Sequence, residues 1–527
     1  MSADVSPEVA AWKPRANPWL IAVVVTLAAF MEILDTTIVN VALPHIAGSL
    51  SVSSDDATWT LTSYLVANGI VLTISGWLGT VIGRKRYFLI CIAMFTVCSL
   101  LCGLAESLPQ LIVFRLLQGF FGGGLQPNQQ AIVLDSFEPA KRGAAFGITA
   151  IATVVAPVVG PVLGGYITDN ASWRWIFFIN VPVGLFACFA VNALVDDPPW
   201  ATRRKRSIDY VGLSLITLGL GCLQVMMDRG EDEGWFGSHF IQVLSAIAVT
   251  GIVGAIGWLL IARKPVVDLR VFKDRNFAVG SALMAAMGLI LYGSAVLIPQ
   301  FAQETIGYNA TWAGLILAPG GVVVILLIPP VGRLIRAVQM RWVIAAGFSI
   351  MALAMIYTNT LVQSIDYRTL AQMRALQSAG LGFLFVPISV IAYYSLPKSF
   401  SADGAALFTM FRNVSGSIGI SLGTALVTER AQARQAHLST WLTPLNQPFN
   451  VLVAHNEQAL QVMGRAGSTL HQSALGVTFQ TLKAQCSVLA YADVFMYIAV
   501  LALAVVPLTL LLSPARASGD AAAPPMH

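Results

Sequence analysis

Charged residues are scarce in this sequence. Of its 527 residues, 11% are charged and 56% are hydrophobic, and the mean hydropathy is +0.73. Soluble domains carry about 25% charged residues, which keep their surfaces in contact with water. A soluble protein with so little charge would be unable to cover its surface. The composition therefore excludes the soluble classes and indicates a membrane protein.

Several motifs are also absent, and each absence removes a class of function. There is no Gly-x-x-x-x-Gly-Lys-Ser/Thr phosphate loop, so ATP is not expected to be the energy source on this chain. There is no His-Glu-x-x-His motif, the His residues are scattered, and no clustered ligands or paired nucleophile and base occur, which argues against a membrane enzyme. The six Cys fall mainly in apolar runs and indicate core packing, with no disulfide framework.

Long apolar segments are what the sequence does contain. A membrane-spanning helix needs about 20 mostly apolar residues. The first such run is too long for the apolar part of a signal peptide and carries Glu32 and Asp35, so we expect a retained first span. In all, the sequence predicts fourteen spans, at residues 19–43, 58–80, 87–105, 110–133, 143–167, 175–194, 210–227, 240–262, 277–301, 312–335, 342–361, 369–395, 405–427 and 490–513.

The Lys and Arg residues support this count. With a cytoplasmic N-terminus, most of them fall in the segments that lie on the cytoplasmic side, as the positive-inside rule requires. A missed or extra span would invert every later segment and spoil this bias. We therefore predict that both termini are cytoplasmic.

An internal repeat divides the chain. Phe114–Pro127 in span four and Met373–Pro387 in span twelve each contain an Arg, then Leu and Gln two and three residues on, then a Gly-rich stretch and a Pro. Paired devices of this kind are typical of transporters built from two similar halves. The channel alternative is less favoured, because the repeat and the proline-bent spans suit alternating access.

The repeat predicts an all-α polytopic membrane protein of two pseudo-symmetric six-helix bundles, with spans seven and eight as an inserted hairpin. The predicted domains are a cytoplasmic N-terminal tail (1–18), an N-terminal bundle (19–194), a basic linker (195–209), the hairpin (210–262), a second cytoplasmic linker (263–276), a C-terminal bundle (277–513) with a long periplasmic segment (428–489), and a cytoplasmic C-terminal tail (514–527).

The sequence resembles the major facilitator superfamily, and within it the fourteen-span drug:proton antiporters of the EmrB/QacA type. The motifs that carry the resemblance cover nearly the whole chain: Leu34–Pro44, Gly76–Arg86, Arg115 with Gly119, Gly160–Gly165, Trp173–Gly184 and Pro265–Phe277. The resemblance implies a major facilitator fold and proton-driven export of drugs or other amphiphilic molecules from a bacterial inner membrane. It assigns conformational roles to Gly76, Gly83, Arg84, Lys85, Gly160, Pro161, Gly164 and Gly165.

One motif departs from the family. The loop after span two usually carries an Asp followed by a basic residue, where this chain has Thr80 and Val81. In the family that Asp is thought to join a cytoplasmic charge lock between the halves. Here we expect the lock to use other contacts, with Asp135 and Glu138 as candidate partners of Arg84–Arg86.

Buried charges indicate where the coupling chemistry lies. A charge within the bilayer costs about 2.5–3.5 kcal/mol on insertion scales, so such groups are functional candidates. Asp35 and Arg115 are expected at similar depths, about 8 Å from the outer boundary, and the resembled fold puts their spans together. Glu32, one helical turn before Asp35, favours proton uptake by the pair. We predict that Asp35, Glu32 and Arg115 couple export to protons, with a static Asp35–Arg115 ion pair as the structural alternative.

Polar and aromatic residues within other spans suit a substrate cavity, although packing explains many of them as well. The candidates are Tyr64, Asn68, Gln126, Asn128, Gln129, Tyr292, Gln300, Phe411 and Arg412. Arg374, in the position that matches Arg115, has no predicted buried acid nearby and is expected to be structural. No cofactor is expected, since the proton gradient would supply the energy.

Two questions remain open from the sequence. An exporter of an endogenous metabolite or siderophore would have the same pattern as a drug exporter. Short amphipathic helices are expected in the long segment 428–489, which is either a solvated loop or a docking surface for a periplasmic partner. The family resemblance implies a tripartite assembly with a periplasmic membrane-fusion adaptor and an outer-membrane channel.

Overall fold

The computed structural model describes residues 14–198, 208–397, 400–443, 445–463 and 469–515, and these contain helices and no β-strand. The helices are α1 (Pro18–Leu50), α2 (Ser54–Ile82), α3 (Arg84–Gly103), α4 (Leu108–Gly122), α5 (Leu125–Ser136), α6 (Pro139–Asn170), α7 (Trp175–Phe178), α8 (Asn180–Leu194), α9 (Tyr210–Arg229), α10 (His239–Ile261), α11 (Arg275–Phe301), α12 (Ala310–Leu315), α13 (Ala318–Ala337), α14 (Met340–Thr358), α15 (Tyr367–Gly382), α16 (Phe385–Ala392), α17 (Ser401–Ser439), α18 (Gln447–Val462) and α19 (Leu470–Val505). Most of the predicted tails and of the basic linker, at 1–13, 199–207 and 516–527, lies outside the described residues.

Polar residues begin many of these helices. The Asn17 side chain accepts a hydrogen bond from the Trp19 backbone N–H, and Pro18 occupies the first helical position of α1. Asp209, Asp274 and Asp366 cap α9, α11 and α15 in the same way. These caps satisfy backbone donors that have no partner within the helix. Between the caps the apolar sequence favours helices, because a bilayer offers no partner to an open backbone.

In the part of the chain that the structure describes, twelve helical segments are long and apolar enough to cross a membrane. The two remaining predicted spans correspond to helices of different character. Span four is divided at Gly123 into α4 and α5, each too short alone, and α17 carries many polar residues along its 39 positions. The observed helices are therefore consistent with fourteen spans, and that count stays a prediction.

The helices pack in two groups. In the first, α1 runs along α6, α2 along α4, and α3 along α4 and α8; in the second, α11 runs along α17, and α15 along α13 and α14. The groups meet where α2 and α5 contact α17, and where α6 contacts α12, α13 and α16. This is the all-helical, two-bundle arrangement that the internal repeat predicts. The exact domain boundaries stay predictions.

The hairpin of α9 and α10 lies at one of these junctions. α9 packs against α10, and also against α2 of the first group and α17 of the second. Both hairpin helices bury a smaller share of their apolar windows than the other spans do. The hairpin is thus peripheral, but one face of α9 bridges the two groups.

The segment 428–489 is mainly helical where the structure describes it. α17 continues to Ser439 and α19 begins at Leu470, so both reach well beyond the predicted spans, and α18 packs on α19. The described part of the segment thus consists of one short helix, α18, between the ends of the two long helices α17 and α19. Arg434 of α17 contacts Asp493 of α19 at 2.9 Å, and Asn456 of α18 donates to Thr478 of α19 at 2.9 Å.

Candidate functional site

A cavity of about 720 Å³ lies between the two groups of helices. Its walls come mainly from α1, α2, α6, α9, α11 and α17. One end is formed by Glu32 and Gln126, near the middle of α1 and the start of α5. The other end reaches His45, Asp169 and Glu304, which lie toward the helix ends remote from residues 14 and 515.

Glu32 provides the carboxylate at the inner end of this cavity. Its side chain is 3% exposed, and it accepts hydrogen bonds from Asn68 Nδ2 at 2.9 Å and from the Tyr64 hydroxyl at 3.4 Å. The Gln126 amide donates to its other oxygen. Three neutral donors thus hold a carboxylate that has no directly bonded cation among the described residues. Such a carboxylate is sensitive to protonation, because a charge in an apolar site is costly unless it is paired.

Gln126 links Glu32 to the opposite group of helices. While its amide nitrogen donates to Glu32, its oxygen accepts from Arg412 of α17. Arg412 is 1% exposed, donates to the neighbouring Asn413 at 3.1 Å and lies over the Phe385 ring at 5.9 Å. The protonation state of Glu32 is therefore connected, through one amide, to a contact between the two groups.

Asp35 lies in a separate, closed network. It is fully buried and accepts hydrogen bonds from Arg115 at 2.6 Å, Asn180 at 2.8 Å and Gln118 at 3.0 Å. The expected Asp35–Arg115 contact is thus direct. Arg115 also donates to the Thr60 carbonyl at 3.2 Å and lies over the Tyr64 ring at 4.1 Å. Because Tyr64 also donates to Glu32, the two carboxylates of α1 are connected through this ring.

Arg374 occupies the matching place in the second group. It is 2% exposed and donates to Ser294 Oγ at 3.0 Å and to Gln377 Oε1 at 3.4 Å. Among the described residues no carboxylate forms an ion pair with it. The polar contacts of Arg374 among the described residues are thus made to neutral oxygen atoms.

The cavity is closed toward the end where the described chain begins. Arg84 pairs with Asp135 and donates to Ser401 Oγ at 3.4 Å, across the junction of the groups. Gln130 accepts from Tyr393 at 3.2 Å and from Thr409 at 3.3 Å, and Phe146 stacks on Tyr393. The candidate partner Asp135 therefore pairs with Arg84, although Thr80 replaces the usual acid. The Thr80 hydroxyl donates to the Trp77 carbonyl.

Two glycines of the loop motif meet geometric demands at this closed end. Gly83 has φ +96°, a conformation that L side chains rarely adopt. A Cβ on Gly76 would lie 2.9 Å from the Ala402 carbonyl oxygen, so glycine permits α2 and α17 to approach closely. The Lys85 ammonium donates to the Asn192 carbonyl, and its backbone N–H donates to Asp197.

The residues of the span-five motif lie in two different environments. Gly160 and Gly164 pack against Thr37 and Ile38 of α1, which explains their small size by close helix contact. Pro161 and Gly165 instead line the cavity.

The predicted cavity residues separate into two sets. Asn68, Gln126, Tyr292 and Gln300 line the cavity, together with Glu32. The other five predicted residues do not line this cavity. Tyr64 lies behind Glu32, and Arg412 lies behind Gln126. Asn128 bonds to the Gly124 carbonyl, and Gln129 bonds to Thr149 at 2.7 Å. Phe411 packs edge-on against Phe272, with the ring centroids 5.6 Å apart. Helix periodicity did not reveal these orientations, because both faces of α5 and α17 carry polar residues.

Several lining residues were missed from the sequence. Asp169, Asp228 and Glu304 fall just beyond the predicted spans 143–167, 210–227 and 277–301, and Gln224 lies in span seven. All four face the cavity. In the sequence, an acid near the end of a span has the same pattern as an ordinary residue at the membrane interface. The available signal was Asp228, which follows an apolar run directly and precedes Arg229.

Comparisons with known proteins decide the family. A model of the Major Facilitator Superfamily matches residues 25–427. The chain belongs to this superfamily of transporters. It is 39% identical over 428 residues to "Multidrug export protein EmrB" of Haemophilus influenzae, which covers 81% of this chain and 84% of that protein. It is 34% identical to "Fatty acid resistance protein FarB" of Neisseria gonorrhoeae, over 94% of this chain and 96% of that one.

A solved structure agrees with this family assignment at the level of fold. The human organic anion transporter MFSD10 aligns with a TM-score of 0.56 at 11% identity, covering 93% of this chain and all of that chain. At this identity the likeness supports the fold alone. The chain is thus a multi-pass membrane protein with a major facilitator fold.

Proposed function

We propose that this protein exports drugs and other amphiphilic small molecules across a bacterial inner membrane in exchange for protons. The observation that carries the proposal is Glu32 at the inner end of the cavity, bonded through Gln126 to Arg412. A carboxylate that faces a substrate cavity can exchange a proton with it. Through Gln126, the protonation state of Glu32 can also affect the contact between the two bundles.

The proposed cycle starts with the cavity reached from the outer side. A proton that enters the cavity neutralises Glu32, which then accepts the Gln126 hydrogen bond less strongly. Gln126 and Arg412 lose part of their restraint, and the closed end around Arg84 and Gln130 can open. In the inward state Glu32 releases its proton to the cytoplasm, and the cavity binds substrate. Return to the outward state then delivers the substrate.

Asp35 and Arg115 have a supporting role in this proposal. Their charges compensate one another in a fully buried pair, so the pair fixes the ring of Tyr64 beside Glu32. We propose Glu32 as the main carrier because it faces the cavity and Asp35 does not.

The decisive experiment uses Glu32→Gln in energised everted vesicles, with a panel of drugs and with and without an uncoupler. We expect the variant to lose uncoupler-sensitive accumulation while it still binds substrate in detergent. Glu304→Gln serves as a matched control, because its carboxylate lies at the opposite end of the same cavity and should leave coupling intact. Normal proton-driven accumulation by Glu32→Gln would refute the assignment.

We also propose that the helical segment 428–489 binds a periplasmic adaptor of a tripartite pump. Its support is a set of exposed apolar side chains at its tip: Trp441 at 61%, Leu445 at 96%, Val462 at 90% and Met463 at 78%. Such side chains are costly in water unless a partner covers them. The combined change Leu445→Asp and Met463→Asp should abolish recovery of the adaptor in a pull-down. Retained recovery would contradict the proposal.

A further inference from the structure

The inserted hairpin contributes directly to the cavity wall. Gln224 of α9 donates to Ser417 of α17 at 3.2 Å, and Ser421 donates to the Met227 carbonyl at 2.6 Å. On the other side, Thr62 of α2 donates to Asp228 Oδ2. α9 is therefore fixed between one helix of each bundle, with Gln224 and Asp228 on the cavity.

The charge of the cavity has one sign. In the described part of the chain, its ionisable lining residues are four carboxylates, one imidazole and one phenol, with no Lys or Arg: Glu32, Asp169, Asp228, Glu304, His45 and Tyr292. A cation in such a cavity is attracted by every fixed negative charge, and more strongly than in water because the surroundings are apolar. An anionic group would be repelled to a similar degree.

Asp228 differs from the other carboxylates at the outer end. Glu304 accepts hydrogen bonds at both oxygens, from Gln300 at 3.0 Å and from Tyr491 at 3.3 Å. For Asp228 the one hydrogen bond that the described residues provide is that from Thr62, and it is made to Oδ2. Oδ1 thus has acceptor capacity for a ligand.

The surroundings of Asp228 define the shape of the ligand. Leu61 and Leu65 of α2 line the cavity beside it, with Val414 and Ile420 of α17 on the neighbouring wall. The guanidinium of Arg229, the next residue, is directed to Thr58 at 2.5 Å, Asp232 at 3.5 Å and the Trp59 ring at 5.1 Å. The positive charge of Arg229 is therefore partly compensated by Asp232, and Arg229 does not line the cavity.

We propose that Asp228 and Gln224 form a subsite on the inserted hairpin that binds the cationic group of amphiphilic substrates, while the apolar walls bind their hydrophobic body. This inference rests on the proposed export function and deepens it. It gives the hairpin a role in substrate selection, and it predicts that lipophilic cations are preferred over fatty acids, although one relative is named for fatty acid resistance.

The test compares a permanent cation, ethidium, with an uncharged dye, Nile red, in export by everted vesicles. Asp228→Asn retains an oxygen for the Thr62 hydroxyl and should fold. We expect its apparent KM for ethidium to rise about tenfold, which corresponds to about 1.4 kcal/mol, with Nile red export unchanged. Asp228→Glu should recover most of the ethidium export. Asp232→Asn, on the exposed side of the same turn, is the matched control.

A binding measurement on purified full-length protein separates the outcomes. Tetraphenylphosphonium should bind the wild type and the Asp232→Asn variant equally, and Asp228→Asn about tenfold more weakly. Equal loss of both dyes in Asp228→Asn, or no loss of ethidium, would overturn the subsite. If the wild type exports Nile red but no cation, the subsite is wrong and the export function stands. If it exports neither dye nor any compound of the drug panel, the export function itself fails.

Discussion

The two bundles place an arginine at equivalent positions and surround it differently. Arg115 and Arg374 are each followed three residues later by a Gln that accepts from them, at 2.8 Å and 3.4 Å. Arg115 adds an ion pair with Asp35, where Arg374 has the neutral Ser294. Among the described residues, the first bundle also has a carboxylate on the cavity one turn from Asp35, at Glu32, and no cavity carboxylate lies one turn from Ser294. The two bundles thus share the Arg–Gln contact, and the two acids Asp35 and Glu32 make the first bundle the one suited to proton coupling.

The largest effect on the difference between the two bundles is expected from neutralising Asp35 of the first bundle. Asp35→Asn leaves the Arg115 charge buried and uncompensated, and breaking such a pair costs about 3–5 kcal/mol. We expect proton-coupled export to be abolished and the thermal midpoint in detergent to fall, with expression near normal. Ser294→Ala at the matching site should cost about 1 kcal/mol, the value of one neutral hydrogen bond. Wild-type export rates by Asp35→Asn would contradict the distinction between the bundles.

A smaller effect is expected at the closed end of the cavity. Arg84→Ala removes the pair with Asp135 and the contact with Ser401 across the junction. The outward state should lose stability, so the closed end should become more accessible to a thiol reagent at a cysteine introduced at Ser401. Arg341 follows span ten, as Arg84 follows span two, and among the described residues it bonds only to Gln339 and packs on Trp342. Arg341→Ala should therefore leave this labelling unchanged, and equal effects of the two variants would show that the loops act alike.

The smallest effect is expected when the second bundle is given the missing acid. Ser294→Asp places a carboxylate next to Arg374, which lacks one in the described structure, and should change the unfolding midpoint little, because the gain in pairing is offset by desolvation. Combined with Asp35→Asn it should fail to restore export, since Ser294 is not on the cavity wall. Restored export in the double variant would indicate that any paired acid suffices, whichever bundle carries it.

The sequence alone determined the class and the scaffold of this protein. Scarce charge and long apolar runs required membrane helices, and the Arg–Gln repeat predicted two related bundles. The similar depths of Asp35 and Arg115, estimated from helical rise, predicted their contact. These features follow from local composition and from regular helix geometry, so they needed no knowledge of how the helices face one another.

Only the tertiary structure decided which polar residues meet. Glu32 and Asp35 are one turn apart, yet one faces the cavity and the other is enclosed by Arg115, Gln118 and Asn180. Asp228 on a peripheral hairpin reaches the same cavity because α9 lies between α2 and α17. The rotation of each helix about its axis is set by packing with its neighbours, and a span with polar residues on several faces does not encode that rotation by itself.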